Sequence, residues 1–145
     1  MIKEITKSLP KNSRLTIARE LIWKYIIDQQ KPLDYIQILS YLNENGFAVN
    51  KTTVYRQLDF LQKNGLIQEI DLGEGKKRYE LASSHHHHLF CTKCGKIECI
   101  KLEENFSPQL SEISKLTNFK VTEHILNFLG LCKDCQNKIE VIKNV

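Results

Sequence analysis

Two cysteine pairs constrain the fold of this chain more than any other feature of its sequence. Each pair has the pattern Cys-x-x-Cys, and the two pairs, Cys91 with Cys94 and Cys132 with Cys135, lie far apart in the chain. Two intervening residues let both sulfurs reach one ion from a single tight turn, and Gly95 favours such a turn. Two turns supply the four thiolates of a closed tetrahedral site. The spacing therefore indicates structural zinc rather than a thioredoxin-like redox pair or buried, unliganded thiols.

Four consecutive histidines, His85 to His88, lie just before the first cysteine pair. In an extended segment, side chains alternate between the two faces, so that His86 and His88 point one way and His85 and His87 the other. One short strand could therefore supply ligands to two different metal sites. The candidate partners for either histidine pair are a histidine on a later predicted strand and three acids: His124, Glu80, Glu103 and Glu104.

The first half of the chain has the hydrophobic spacing of three helices, predicted over residues 13–30, 33–45 and 51–64. Ser13 is the expected N-cap of the first helix. After residue 65 the period changes to two, which predicts strands over 66–70 and 77–81 around a glycine-containing turn. Three helices followed by a β-hairpin are the outline of a winged helix-turn-helix, with the hairpin as the wing.

In a winged helix, the third helix enters the major groove of DNA and reads base edges with its exposed side. Its expected groove-facing side chains are Lys51, Thr52, Thr53, Tyr55 and Arg56. Arg56 can contact a phosphate or a guanine, and the alternative for Tyr55 is a partly buried core position. The net charge of +4 is concentrated in two basic clusters that suit phosphates. The expected phosphate contacts are Lys11 and Arg14 near the start and Lys76, Lys77 and Arg78 on the wing.

The sequence predicts an α+β protein with two domains. Residues 1–82 form the winged-helix domain, a hinge follows at about 82–85, and residues 86–145 form a small α/β metal-binding domain. In the second domain we expect strands over 85–91 and 96–102, a helix over 107–117, a strand over 119–131 and a terminal helical turn or two. The apolar side of that helix comprises Leu110, Ile113 and Leu116.

The composition is that of a soluble globular protein, with 41% hydrophobic and 26% charged residues. No apolar run reaches the roughly 18 to 20 residues that a membrane helix needs. The first eleven residues lack the pattern of a secretory signal, so we expect a cytoplasmic protein without a membrane partner.

The motifs together resemble those of the ferric-uptake-regulator (Fur) family of bacterial metalloregulators. The matching stretches are Thr52 to Leu58 with Asn64-Gly65-Leu66, His85 to Lys96, and Gly130 to Cys135. They occur in family order and spacing, over nearly the whole chain. The resemblance implies a homodimer that binds a double-stranded DNA operator and represses genes when its sensing site holds a metal. It also implies that the chain is not an enzyme and has no small-molecule substrate.

The resemblance further implies two regulatory metal sites. The first, in the hinge region, would use Glu80, His86, His88 and position 99, which is usually a carboxylate in the family and is Cys99 here. The second, in the dimerisation domain, would use three histidines and an acid. Because the family acid aligns nearest Phe106, Glu103 or Glu104 must provide that acid; the full set is His85, His87, His124 and Glu103 or Glu104.

Two positions depart from the family pattern. Many members have a histidine ligand near position 31, where this chain has Lys31, and Cys99 replaces a carboxylate. Thiolate is a soft ligand that suits zinc better than ferrous iron. The departures favour the zinc-uptake-regulator branch, with regulatory Zn²⁺, over regulators that use Fe²⁺ or Mn²⁺ and over iron-dependent peroxide sensors. The alternative role for Cys99 is a buried thiol without a ligand.

Other classes of function fit the sequence less well. A zinc hydrolase needs an open coordination position, but no His-Glu-x-x-His motif occurs in the chain. A simple zinc buffer would leave the predicted recognition helix without a purpose. A metal-dependent DNA-binding repressor accounts for both halves of the sequence.

Overall fold

The computed structural model describes residues 16–82, 86–102, 107–122 and 125–143. The chain divides into two units, with the boundary between Ser84 and His85. Within the described residues, no helix is both long and apolar enough to cross a membrane.

The described residues of the first unit form three helices and a three-stranded antiparallel sheet. In chain order its elements are α1 (Ile17–Gln29), β1 (Leu33–Asp34), α2 (Tyr35–Glu44), α3 (Lys51–Lys63), β2 (Ile67–Asp71) and β3 (Lys77–Leu81). The strand order is β1-β3-β2, so the predicted hairpin of β2 and β3 gains a short third strand. This arrangement confirms the predicted winged helix-turn-helix.

Helix α1 begins later than the sequence indicated. The cap is Thr16 rather than Ser13, because Thr16 Oγ1 accepts a hydrogen bond from the backbone N–H of Arg19 at 3.3 Å. Ser13 lies outside the described residues. The helix ends where Gln30 takes a left-handed conformation with φ of 48°, just before the Lys31–Pro32 step that cannot continue a helix.

Helix α2 begins two residues later than predicted, because Leu33 and Asp34 form strand β1. Asp34 closes a capping box: its Oδ1 accepts from Gln37 N–H at 3.0 Å, and its own N–H donates to Gln37 Oε1 at 2.9 Å. Across the sheet, Leu33 pairs with Tyr79 and Asp34 pairs with Arg78. The strand thereby ties the start of α2 to the wing.

The core of the first unit is formed by one face of each helix. Val54, Leu58 and Leu61, the predicted inward residues of α3, are fully buried. They pack in one cluster with side chains from α1, α2, β1 and the wing. The opposite side of α3 is consequently available to a partner, which is the orientation that a recognition helix requires.

In the second unit, the part of the chain that the structure describes forms a three-stranded mixed sheet and two helices. Its elements are β4 (His87–Cys91), β5 (Ile97–Ile100), α4 (Ser107–Thr117), β6 (Asn127–Gly130) and α5 (Lys133–Lys143). The strand order is β5-β4-β6; β5 is antiparallel and β6 parallel to the central strand β4. The sheet places β4 and β6 side by side, so that each ends at one of the two cysteine pairs.

Two predictions for the second unit are wrong in extent. Within the described part of the strand expected over 119–131, only β6 is paired; Asn118 turns the chain just before this range with φ of 54°, and Phe119 and Ile125 are 69% and 87% exposed. The terminal helix α5 has 11 residues rather than a turn or two. Alternating hydrophobicity alone therefore overestimated the length of β6, since it does not show where hydrogen bonding to the neighbouring strand ends.

Candidate metal centres and nucleic-acid interface

The four cysteines of the two pairs meet in the second unit and are called the cysteine cluster below. Their sulfur atoms all lie within 4.8 Å of one another, and Cys94 Sγ lies 3.7 Å from Cys132 Sγ. A tetrahedral zinc with Zn–S bonds of about 2.3 Å has S···S edges of about 3.8 Å. The cluster of Cys91, Cys94, Cys132 and Cys135 therefore has the dimensions of a closed Cys₄ site.

Local backbone geometry explains why each pair converges. Strand β4 ends at Cys91, and Gly95 N–H returns to Cys91 O at 2.8 Å, with Gly95 in the left-handed region at φ of 74°. Cys132 directly precedes α5, where the N–H groups of Cys135 and Gln136 both donate to Cys132 O at 3.0 Å. One pair therefore sits on a glycine turn and the other on the first turn of a helix.

The surroundings of the sulfurs fit a thiophilic divalent cation. The backbone N–H of Cys132 donates to Cys91 Sγ at 3.3 Å, and this bond and one from Cys94 lower the pKa of Cys91 to about 6. Burial, followed by hydrogen bonds with the neighbouring thiols, raises the pKa of Cys135 to about 12. The lowered pKa favours the thiolate form of Cys91. The raised pKa of Cys135 favours its thiol form, which a cation bound nearby would convert to the thiolate.

A second group of potential ligands in the same unit is called the imidazole–thiol cluster and consists of His86, His88 and Cys99. Each offers a ligand atom, and these atoms lie within 4.8 Å of one another. His88 and Cys99 are direct partners across β4 and β5, and the rings of His86 and His88 are 4.8 Å apart between centroids. Cys99 is exposed, which contradicts its alternative role as a buried thiol.

Glu80, the remaining residue of the expected hinge site, belongs to the first unit. It lies in β3 opposite Gln68 of β2 and is 4% exposed. Gln68 Nε2 donates to Glu80 Oε1 at 2.7 Å. A buried carboxylate requires such a partner or a cation, because desolvating the charge is costly.

The expected second regulatory site can be described for one residue only. His87 lies in β4 and is 1% exposed, opposite Ile100 of β5. The other members lie outside the described residues: His85, Glu103, Glu104 and His124. This site stays a prediction.

The N-terminus of α3 presents the expected groove-facing residues, with Lys51, Thr52 and Arg56 exposed and Thr53 and Tyr55 half-buried. The cap of this helix is Asn50: its Oδ1 accepts from the N–H of Thr53 at 2.8 Å and from the Thr53 hydroxyl at 2.9 Å. The hydroxyl of Thr53 is thus engaged within the protein, whereas the other four side chains keep polar or aromatic groups toward solvent.

One member of this surface was not expected from the sequence. Tyr35, the first residue of α2, lies beside Tyr55 with ring centroids 5.4 Å apart. Lys51 Nζ lies 4.7 Å from the Tyr35 centroid and 5.6 Å from that of Tyr55. Tyr55 is therefore held between the core and the surface, in agreement with both of the roles considered for it. An aromatic residue at the first turn of α2 was the only available signal for Tyr35.

The wing differs from expectation at one residue. Lys76 and Lys77 are exposed, as a phosphate contact requires. Lys77 Nζ lies 2.9 Å from Glu69 Oε1, and its hydrogen bond to that carboxylate raises the pKa of Lys77, so the lysine keeps its charge. Arg78, however, is 6% exposed and paired with acids of its own unit, so it is not an accessible phosphate ligand. Lys11 and Arg14 lie outside the described residues.

A winged helix with cations at the recognition surface, carried on one chain with clusters of metal-ligating side chains, defines the class of metal-dependent DNA-binding regulators. The model of the ferric uptake regulator family matches residues 10–129. The chain belongs to the ferric uptake regulator family. The predicted family and the α+β class are thereby confirmed, and the protein is a metal-dependent transcription regulator.

Individual relatives differ in the function that their names describe. The peroxide-responsive repressor PerR of Staphylococcus saprophyticus is 31% identical over 129 residues, which cover 86% of this chain and 84% of the relative. The ferric uptake regulator of Francisella tularensis, solved with iron, is 25% identical with a TM-score of 0.76 and covers 88% of this chain and 98% of its own. The Helicobacter pylori regulator Fur, described as having three functional metal-binding sites, is 26% identical with a TM-score of 0.75, covering 93% and 91%. The PerR relative corresponds to the peroxide-sensing alternative rather than to the zinc branch.

Proposed function

We propose that the protein is a cytoplasmic, homodimeric, zinc-responsive repressor that controls metal-uptake genes. The observation that carries this proposal is the position of Cys99 beside His86 and His88. Two imidazoles and one thiolate form a donor set of borderline softness, which favours Zn²⁺ over Fe²⁺ and Mn²⁺. The cysteine cluster would hold a separate Zn²⁺ that stabilises the second unit and takes no part in sensing.

The DNA-binding half would work through two kinds of contact. Arg56 and Tyr55 at the start of α3 would contact base edges, Arg56 through paired hydrogen bonds to a guanine and Tyr55 through a thymine methyl group. Lys51, Lys76 and Lys77 would contact phosphates and set the register of the protein on the duplex. The exposure of these three lysines supports this division of roles.

We propose that Glu80 supplies the remaining ligand of the sensing site. An ion bound by Glu80 and by the imidazole–thiol cluster would join residues on both sides of the linker at 82–85 and restrict that linker. The two recognition helices of a dimer reach successive major grooves only at a separation near the helical repeat, roughly 34 Å. To convert a mostly incompetent dimer into a mostly competent one, the metal must favour the competent form by about 5 kcal/mol.

Homodimerisation through the second unit is supported by the apolar side chains that this unit leaves exposed. Ile113 and Leu116, on the predicted apolar side of α4, are 43% and 78% exposed in the single chain. Further exposed apolar side chains of this unit are Leu89, Leu102, Phe119, Ile125, Phe128, Leu129 and Leu131. So much apolar surface in a small unit is typical of a protein–protein interface, and we assign it to a second copy of this chain.

Operator-binding titrations against buffered free Zn²⁺, Mn²⁺ and Fe²⁺ test the sensing role. We expect zinc to activate the wild type at a far lower free concentration than the other two ions, and both His86→Ala and Cys99→Ser to need more zinc. Glu98→Gln is the matched control, since Glu98 neighbours Cys99 in β5 and pairs with Lys96 at 2.7 Å. Equal zinc responses of the wild type, His86→Ala and Cys99→Ser would mean that the sensing site lies elsewhere, with His87 in the better candidate set.

A peroxide sensor that uses ferrous iron is the second candidate function, favoured by the 31% identity to the PerR relative. The two candidates differ in their response to oxidant. The zinc-loaded protein should keep its DNA affinity after brief exposure to hydrogen peroxide. If iron activates DNA binding at physiological concentrations and peroxide then abolishes it, the peroxide-sensing candidate replaces the zinc-sensing one.

A further inference from the structure

The wing contains a buried arginine whose two carboxylate partners belong to different segments of the first unit. The side chain of Arg78 in β3 is 8% exposed, and those of Glu74 and Asp34 are 15% and 13% exposed. Arg78 Nε donates to Glu74 Oε1 in the wing turn, and Arg78 Nη1 lies 3.9 Å from Asp34 Oδ2. These three residues are called the Arg78 cluster.

The two ends of the Arg78 cluster differ in how firmly the backbone holds them. Asp34 pairs with Arg78 across β1 and β3 and also caps α2, so its position is set by two elements. Glu74 lies between Gly73 and Gly75, which adopt left-handed φ angles of 80° and 70°. Glycine loses more backbone freedom on ordering than any other residue. In this turn the ion pair between Glu74 and Arg78 acts beside one other side-chain contact, the hydrogen bond that Gly73 N–H donates to Asp71 Oδ1 at 2.8 Å, and it is the contact that joins the tip of the turn to β3.

The turn leads directly into the wing cations: Lys76 is its last residue, and Lys77 is the first residue of β3, where it pairs with Asp71 of β2. Lys76 and Lys77 directly follow Gly75 and precede Arg78, and both are exposed. We propose that Arg78 is a positioning residue that does not touch DNA: it holds the wing turn through Glu74 so that Lys76 and Lys77 meet the phosphates in a fixed register. This inference rests on the proposed DNA-binding function and assigns to Arg78 a role opposite to the direct contact that its charge suggests.

The proposal predicts that removing one acidic side chain weakens DNA binding, whereas simple electrostatics predicts that it strengthens binding. Removing a negative charge from a DNA-binding surface normally strengthens binding, because repulsion of the phosphates is reduced. Glu74→Gln should nevertheless weaken binding, because it releases the turn. Asp59→Asn is the matched control: Asp59 is an exposed acid of the same unit, paired with Lys63 at 2.9 Å and remote in sequence from the wing. It should leave binding unchanged or strengthen it slightly.

The experiment measures the dissociation constant for a random-sequence duplex of about 30 base pairs across a salt series, using the full-length zinc-loaded protein. Loss of one phosphate contact lowers the salt slope by about 0.9 and weakens binding roughly five-fold near 0.15 M salt. We expect this result for Lys77→Ala. Glu74→Gln and Arg78→Gln should weaken binding at least as much. Arg78→Lys should not restore it, because a lysine lacks the planar guanidinium group that can contact both carboxylates.

A double-mutant cycle separates positioning from contact. If Arg78 acts through the lysines, Lys77→Ala should cost less in the Arg78→Gln background than in the wild type. Without DNA, amide hydrogen exchange at residues 74–77 should be faster in Glu74→Gln and Arg78→Gln, while exchange in α3 is unchanged. This second readout does not depend on DNA affinity and also reports whether the variants are folded.

Binding by Glu74→Gln as tight as the wild type, additive effects of Lys77 and Arg78, or unchanged exchange in the wing turn would each overturn the positioning role. Failure of the proposed function looks different. In that case the wild type itself shows no salt-dependent affinity for duplex DNA, and Lys77→Ala behaves like the wild type.

Discussion

Cysteines of this chain occupy two chemically different environments, although only a few residues separate them. Cys91 and Cys135 are 4% exposed and belong to a set of four sulfurs, whereas Cys99 is exposed and faces imidazoles. An all-sulfur set closes around zinc and leaves no open position. A mixed set with one thiolate and two imidazoles would hold zinc less tightly and exchange it more easily. The ligand environment, rather than the residue type, therefore separates the structural role proposed for the four clustered cysteines from the sensing role proposed for Cys99.

The structural role can be tested at Cys135. Cys135→Ser removes one of four sulfurs from a buried site, and apparent binding free energies of such sites are on the order of 10 kcal/mol. We expect loss of tightly held zinc, measured by elemental analysis after gel filtration, together with a lower melting temperature. Cys99→Ser is the control and should retain that zinc. A folded, dimeric Cys135→Ser protein without zinc would contradict the role.

The sensing role can be tested by changing the hardness of one ligand. Cys99→Asp restores the carboxylate that is usual in the family at this position. We expect zinc to activate DNA binding less effectively and Mn²⁺ more effectively, each by on the order of tenfold in free metal concentration. The measurement is operator binding by fluorescence anisotropy in metal buffers. An unchanged preference for zinc would show that Cys99 does not determine selectivity.

At the scale of elements, local signals predicted most of the first unit. The spacing of Val54, Leu58 and Leu61 defines both the existence and the orientation of α3, because burial on one face is what produces that spacing. Strand β1 was missed, since two residues carry no periodicity. The pairing of Arg78 with Asp34 was missed for a related reason: it depends on β1 crossing beside β3, which is a tertiary contact.

In the second unit the cysteine and histidine patterns were more informative than hydrophobicity. The convergence of the two cysteine pairs follows from metal-ligand spacing, and the shared face of His86 and His88 follows from strand alternation. The apolar side of α4 was correctly located but not its exposure. A single sequence cannot distinguish a residue buried within its own chain from one buried by a partner.

Helices α1 and α3 are joined by a polar contact that gives an element-scale prediction. Arg19 Nε donates to Gln57 Oε1 at 3.0 Å, and the guanidinium carbon lies 3.5 Å from the centroid of Phe60. Gln57→Ala removes a buried acceptor from a charged donor, which typically costs about 1 to 3 kcal/mol. Urea denaturation should show this loss in the free energy of unfolding. Gln62→Ala, at an exposed position of the same helix, should stay within about 0.5 kcal/mol of the wild type.

At the scale of the whole molecule, the exposed apolar surface of the second unit predicts the oligomeric state. Leu116→Glu places a charge on a side chain that is 78% exposed in the single chain. A folded but monomeric protein is expected in analytical ultracentrifugation, with weakened operator binding because two recognition helices no longer act together. Ile17→Glu is the control, since Ile17 is 63% exposed but belongs to the first unit. Should Leu116→Glu remain a dimer of wild-type affinity, α4 lies outside the interface.

Stepwise metal removal should abolish operator binding before it abolishes dimerisation. The cysteine cluster offers four thiolates to one ion, whereas the imidazole–thiol cluster offers one thiol and two imidazoles, so an ion bound there would be removed by a weaker chelator. Mild chelation should therefore abolish operator binding first, with circular dichroism and dimerisation unchanged. Stronger chelation should then remove the structural zinc and, with it, the fold of the second unit and the dimer.

The variants make this order of events testable. Cys99→Ser, which needs more zinc for operator binding, should lose that binding at a lower chelator concentration than the wild type, while its structural zinc is released at the wild-type rate. Cys135→Ser should show neither phase, because loss of the structural zinc already removes the dimer that operator binding needs. Re-addition of Zn²⁺ after the first phase should restore operator binding fully, since binding of the sensing ion shifts an equilibrium between two folded forms. If operator binding and dimerisation are instead lost together in one phase, a single metal serves both purposes and the division into a structural and a sensing site is wrong.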